Sequence, residues 1–189
     1  MRSWATVALI VAASAWAQDD VPSPSKPVCG HHADARGFSL DLPQGICGHL
    51  YLHGLSVVLS KDTDPAERSI TVWAARNANF DAKSSDIAAA EMGAAVRDSV
   101  DGVSVTRRAS TKVAGVPGVR WQYGFRSKTD GADHVVDVVA VLRPLRPKPE
   151  WHDYYEYSIV LRSTPQEHES DLRPFEEILR SFTFGEPEV

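Results

Sequence analysis

The residue types best suited to metal chemistry gather near the N-terminus. Cys47, His49, Tyr51 and His53 alternate with Gly48, Leu50 and Leu52, so in an extended strand they share one face. His31, His32 and Asp34 follow closely on Cys29. A bond between Cys29 and Cys47 brings both groups together, and imidazoles beside a carboxylate suit zinc or copper. His31, His32, His49 and His53 are therefore candidate metal ligands. The competing expectation is a polar strand face that needs no metal. None of the paired zinc spacings is present, and cysteines joined in a disulfide cannot ligate. These two are the only cysteines of the chain, and a disulfide is their simplest use; free thiols, metal ligation and redox work are the alternatives. Such a bond stabilises by about 3 kcal/mol on a chain-entropy basis.

A second group could recognise anions. Arg120, Gln122 and Arg126 alternate along one segment, and Asp137, Glu156 and Arg162 lie on the next two. Converging on one sheet face, the arginines suit a carboxylate or phosphate ligand; pairing among themselves, they make an ordinary polar face. Asp137 stands in a valine run, where a buried carboxylate needs a partner, and Arg126 is the expected one across the hairpin. The third group lies on the proline-stiffened loop from Pro144 to Tyr155. Trp151, His152, Tyr154 and Tyr155 stand there beside Arg143, Arg146 and Lys148, a composition that suits a protein interface or simply closes the end of a sheet.

Enzyme motifs are absent from the sequence: there is no Gly-x-Ser-x-Gly, no His-Glu-x-x-His and no Walker or Rossmann glycine pattern. His168-Glu169-Ser170-Asp171 contains the letters of a catalytic triad, but neighbours at a helix start do not have its geometry. The expectation is a non-enzyme with no cofactor.

The elements that must position these residues centre on 113–161. Val119 to Arg126 alternates strictly, with Trp121, Tyr123 and Phe125 on one face and Arg120, Gln122 and Arg126 on the other. Asp130-Gly131 supplies a hairpin turn. Val135 to Leu142 is almost wholly apolar and β-branched, which predicts a central strand covered on both faces. Tyr154 to Arg162 alternates again, and three strands with short connections predict an antiparallel meander. Leu172, Phe175, Ile178, Leu179 and Phe182 fall at helical spacing. They predict a C-terminal helix on the sheet, capped by Asp171, with Pro174 in its first turn, and ending in Ser181-Phe182-Thr183-Phe184. Upstream, Gly37 to Pro43, Gly54 to Ser60, Ser69 to Ala75 and Val103 to Val113 read as strands. Ser85-Asp86 caps a helix bearing Ile87, Met92, Val96 and Val100, ended by Asp101-Gly102.

Residues 1–17 read as a secretory signal: Arg2, an alanine-rich apolar run from Val7 to Trp16, and a small-x-small site at Ala15-Trp16-Ala17. The run is too short to span a bilayer, so no membrane span is expected in the mature chain. Gln18 to Val28 is a Pro/Ser-rich leader, 29–185 a single domain and 186–189 a tail. The formal net charge is −5, one unit more negative once Arg2 leaves, which argues against nucleic acid and anionic membrane surfaces as partners. A hydrophobic content of 43% suffices for an ordinary core.

Three stretches carry a family resemblance: Gly37-Phe38-Ser39-Leu40, Ala114-Gly115-Val116-Pro117-Gly118 and Ile178-Leu179-Arg180-Ser181-Phe182-Thr183-Phe184. With the order strands, helix, strands, helix, the chain resembles the PsbP-like group, which includes bacterial DcrB-like proteins and the Ran-binding Mog proteins. The resemblance implies an α+β fold, an antiparallel sheet flanked by helices in an α/β/α sandwich. It also implies a non-catalytic binding or assembly role. The Cys29/His31/His32 leader with Cys47 departs from that group, and no motif supports carrying over a photosystem role. The expected protein is thus a periplasmic or extracellular module that contacts another envelope or secreted protein. The alternative is a metal or small-ligand binder using the histidines.

Overall fold

The computed structural model describes residues 27–51, 54–59, 68–76, 101–128, 131–145 and 154–187. Its main element is an eight-stranded antiparallel sheet in the order β1-β4-β5-β6-β10-β9-β8-β7. The strands are β1 (Val28–Cys29), β4 (Cys47–Tyr51), β5 (Gly54–Val58), β6 (Ser69–Arg76), β7 (Asp101–Val113), β8 (Val116–Arg126), β9 (Asp133–Pro144) and β10 (Tyr154–Ser163). A second sheet has the order β11-β3-β2, from β2 (His31–Asp34), β3 (Phe38–Asp41) and β11 (Thr183–Phe184). One helix, α1 (His168–Ser181), is described.

The meander forms as expected. β9 is buried on both faces from Val136 to Leu142, because each side has a paired strand and each face is apolar. Gly131 closes the β8–β9 hairpin at φ +70°, a left-handed conformation that glycine adopts without a Cβ penalty.

Register decides which side chains meet. Arg120 lies opposite Val139, Gln122 opposite Asp137, and Asp137 opposite Leu161. Arg120, Gln122 and Asp137 therefore share a face with Tyr157, Ile159 and Leu161. This is the inner face. Phe38 and Leu40 of the small sheet and Phe175 and Ile178 of α1 join it in one apolar cluster with Leu55, Ile70, Val72 and Val139. Trp121, Tyr123 and Phe125 point the other way, with Val136 and Val138.

Three expectations change here. Glu156 and Arg162 lie on the outer face, opposite Leu142 and Val136, so the polar residues of the meander are split between two faces. The helix starts at His168 with Glu167 as its N-cap residue, while Asp171 is a buried residue of the first turn; its carboxylate bonds to other elements instead of capping. The helix also stops at Ser181, since Phe182 is extended and Thr183–Phe184 pairs with β3. Phe184 lies opposite Phe38 and Thr183 opposite Ser39, so two of the stretches behind the resemblance meet directly. The expected helix after Ser85-Asp86, the signal segment, Asp130 and the loop residues 146–153 lie outside the described residues.

Candidate functional site

Two buried carboxylates lie where α1 packs on the main sheet, and polar side chains from several parts of the chain converge on them. Asp137, on β9, is 1% exposed. It accepts a hydrogen bond from Arg120 Nε at 2.7 Å and from Gln122 Nε2 at 3.1 Å, and His168 Nε2 stands 3.1 Å from the same oxygen as Gln122. Arg120 reaches on to Glu176 of α1, and its guanidinium lies 5.3 Å from the Phe175 ring centre. Burial alone disfavours the charge on Arg120, but the bonds to Glu176 and Asp137 outweigh it and raise its pKa above the ordinary arginine value. Gln122 Oε1 in turn accepts from Thr106 Oγ1 of β7 at 2.9 Å. A chain of polar contacts thus runs from β7 through β8 and β9 to the helix.

The second carboxylate, Asp171, is on α1 and 2% exposed. Arg68 Nε donates to it at 3.0 Å, with a second guanidinium nitrogen on the other oxygen, and Ser163 Oγ of β10 donates as well. Glu167 Oε2 stands 3.6 Å from the same guanidinium. A bidentate arginine and a hydroxyl satisfy most of this carboxylate's lone pairs. Both clusters hold cation and anion in fixed geometry across the sheet–helix interface, which is the behaviour of a clamp.

Asp137 takes Arg120 as its partner because register puts Asp133, and not Asp137, opposite Arg126. Arg126 bonds Asp133 at 2.9 and 3.1 Å on the exposed hairpin. That bond raises the pKa of Arg126 and lowers that of Asp133. Tyr154 packs, half-buried, against the outer-face cluster of Val119, Ala140 and Leu142. Trp151 and His152 lie outside the described residues.

The cysteines form the expected disulfide. Cys29 and Cys47 are directly opposed on β1 and β4, with Cα atoms 4.4 Å apart. Gly30, at φ +71°, then turns the chain from the large sheet into the small one, so His31 and His32 stand on a different sheet from the disulfide. His31 is exposed and bonds Asp41 at 2.8 Å. His32 points to the opposite face of β2, is 8% exposed, and lies edge-on to Phe38. His49 is exposed on β4, opposite Ser56, and His53 lies outside the described residues. Among the described residues, no three His, Cys, Asp or Glu side chains gather as a metal site.

A groove of about 290 Å³ opens between the end of β7 and α1, lined by Thr111, Lys112, Arg120, Glu176, Leu179 and Arg180 among others. Among the described residues no helix is long and apolar enough to cross a membrane.

No protein-family model matches the chain, and no curated protein matches it. Solved structures do. LpqN of Mycobacterium tuberculosis, involved in cell envelope biogenesis, superposes with a TM-score of 0.57 at 13% identity, covering 85% of this chain and 90% of its own. The cyanobacterial PsbP, CyanoP, of Synechocystis gives 0.54 at 10% identity, covering 89% and 99%. The Ran-binding protein Mog1p of Saccharomyces cerevisiae gives 0.50 at 12% identity, covering 86% and 96%. The chain has the PsbP/Mog1-like fold.

Within this PsbP/Mog1-like fold, the residues that organise the polar interface were only half visible in the sequence. Arg120, Gln122 and Asp137 were candidates; His168, Asp171, Glu176, Arg68 and Ser163 were not. A signal for two of the helical residues was available. His168, Asp171, Phe175, Ile178 and Phe182 follow one another at helical spacing, so two polar residues stand on the same stripe as the apolar ones. Polar residues on a buried stripe require partners on the facing sheet.

Proposed function

We propose that this chain is a non-catalytic, exported binding or assembly module that acts by protein–protein contact with another envelope or secreted protein. The observation that carries this reading is the commitment of the inner polar residues. Asp137, Arg120, Asp171 and Arg68 are engaged with one another and with α1, so the strongest cluster of charges holds the scaffold together and recognition falls to the outer surfaces and edges. The fold supports the same role: Mog1p is a Ran-binding protein and LpqN is involved in cell envelope biogenesis. The Cys29–Cys47 bond supports export, because disulfides persist in oxidising compartments, and it agrees with a cleaved signal over 1–17. In this reading 29–185 is one domain, an antiparallel sheet flanked by helices.

The test is cross-linking of the full-length protein in its native cell envelope, followed by mass spectrometry. A single protein recovered in near-stoichiometric amount, and lost when purified protein is cross-linked alone, is the expected outcome. Recovery of the uncross-linked monomer alone, with retained zinc or copper in the native mass, would replace this reading with the histidine-based one.

A further inference from the structure

We propose that the outer edge of β7 is the docking site for an extended acidic segment of the partner, which adds to the main sheet as a ninth strand. The inference rests on the protein-contact reading above and specifies its surface. Among the described strands, β7 ends the sheet and has a neighbour, β8, on one side only. Alternate residues of such a strand direct N–H and C=O groups away from the sheet, and an added strand satisfies them.

β7 is long and its irregularities are confined to one end. The register shifts fall between Asp101 and Ser104 and between Val105 and Arg107. From Arg107 to Val113 the pairing with β8 runs without interruption, which offers about 20 Å of regular edge. Ser104 to Arg108, Ser110 and Lys112 are exposed, and Val105, 52% exposed, is one of two large apolar side chains left on the described surface.

Charge identifies the occupant. The protein is acidic overall, yet from Val103 to Val113 the chain carries Arg107, Arg108 and Lys112 and no acid. Arg108 lies opposite Trp121 and Lys112 opposite Pro117, so both fall on the outer face; Arg107, opposite Gln122, falls on the inner. The groove between the end of β7 and α1, on the inner side, holds Arg180 beside Glu176. A second copy of this chain is disfavoured: antiparallel pairing centred on Ser110 sets Arg108 against Lys112, and like charges directly opposed are destabilising. A strand with acids at alternate positions carries them on one face, where they meet Arg108 and Lys112 and turn that repulsion into attraction.

The experiment uses the full oxidised protein and a blocked eight-residue peptide alternating glutamate and threonine. The expected result is saturable binding that slows hydrogen exchange over 107–113, weakens as salt is raised, and falls about tenfold or more in Arg108→Glu/Lys112→Glu. Both side chains are exposed, and because Arg108 also lies 5.7 Å from the Trp121 ring centre, unchanged unfolding midpoints are required to show that the variant keeps the fold. The proposal is overturned by no saturable binding, by binding that leaves 107–113 unprotected, or by equal binding of the peptide with lysine for glutamate. Protection of β7 that rises with protein concentration alone would assign the edge to a second copy instead. Cross-linking with the same variant separates the two levels: a partner still captured at the wild-type level removes the edge and keeps the protein-contact reading. Capture by neither protein removes the reading itself.

Discussion

The polar interface beneath α1 makes a quantitative prediction. Asp137 is 1% exposed and its tightest partner is Arg120, whose side chain is 17% exposed. Arg120→Met keeps most of the stem that packs toward Phe175 and removes the charge. Breaking a buried pair by deleting one partner costs 3–5 kcal/mol in general; because Gln122 and His168 still face Asp137, the lower end applies, about 3 kcal/mol. Asp137→Val leaves Arg120 with Glu176, which is 43% exposed, and some access to water, so its cost is smaller, about 1–2 kcal/mol. Valine also suits the site, which lies between Val136 and Val138 in a buried strand. The double variant replaces both charges by apolar groups and should fall within about 1 kcal/mol of the parent.

The coupling energy is therefore at least about 3 kcal/mol. Urea unfolding of all four proteins, followed by tryptophan fluorescence and far-UV circular dichroism, gives it directly if the slopes agree. Costs that add to within about 0.5 kcal/mol would refute the account, because the two side chains would then not depend on each other.

Three further outcomes follow from other parts of the fold. Replacing both Cys29 and Cys47 by alanine should cost about 3 kcal/mol of unfolding free energy, and reducing agent should lower the parent to the same midpoint while leaving the variant unmoved. Tyr157 donates to the Arg36 carbonyl at 3.0 Å, and burial is the largest influence raising its pKa above the usual tyrosine value. Its contribution is complete below about pH 10 and is lost as pH rises from there through the raised folded value. Tyr157→Phe should cost about 1 kcal/mol at neutral pH and flatten the alkaline decline; a decline as steep as the parent's would exclude Tyr157 as its source. At Gly54, an added Cβ would sit 1.9 Å from the Val72 carbonyl oxygen of the paired strand. Backbone must then move, so Gly54→Ala should lose about 3 kcal/mol or more, and a change under a third of that in urea midpoints would contradict the close approach.

The strands of the meander were legible because their signal is local. Tyr155, Tyr157, Ile159 and Leu161 declare a face by alternation alone, and a valine run declares a strand buried twice. The short strands β1, β2 and β11 carry no such signal. Two to four residues are too few for a period, and β1 and β11 exist because a distant segment pairs with each: Val28 with Gly48, Phe184 with Phe38. The turn at Gly30 likewise depends on where the second sheet lies, so nothing near His31 and His32 announces that they leave the disulfide behind.

The polar face of β8 illustrates the harder problem. Alternation of Arg120, Gln122 and Arg126 predicts one exposed side, yet Arg120 and Gln122 are covered while Arg126 is free to water. The cause is the cover itself. α1 crosses only part of the strand and brings His168 and Glu176 over Gln122 and Arg120, whereas Arg126 lies at the hairpin beyond its reach and pairs with Asp133. A polar stripe on a strand and a polar interruption in an amphipathic helix are each ambiguous alone. Considered together they identify one another, since buried charge on either element requires the opposite charge on the facing one. The pairing of Arg120 with Asp137 and Glu176 was thus encoded in the chain at three sites, 120, 137 and 176, and became visible only when helix and sheet were brought face to face.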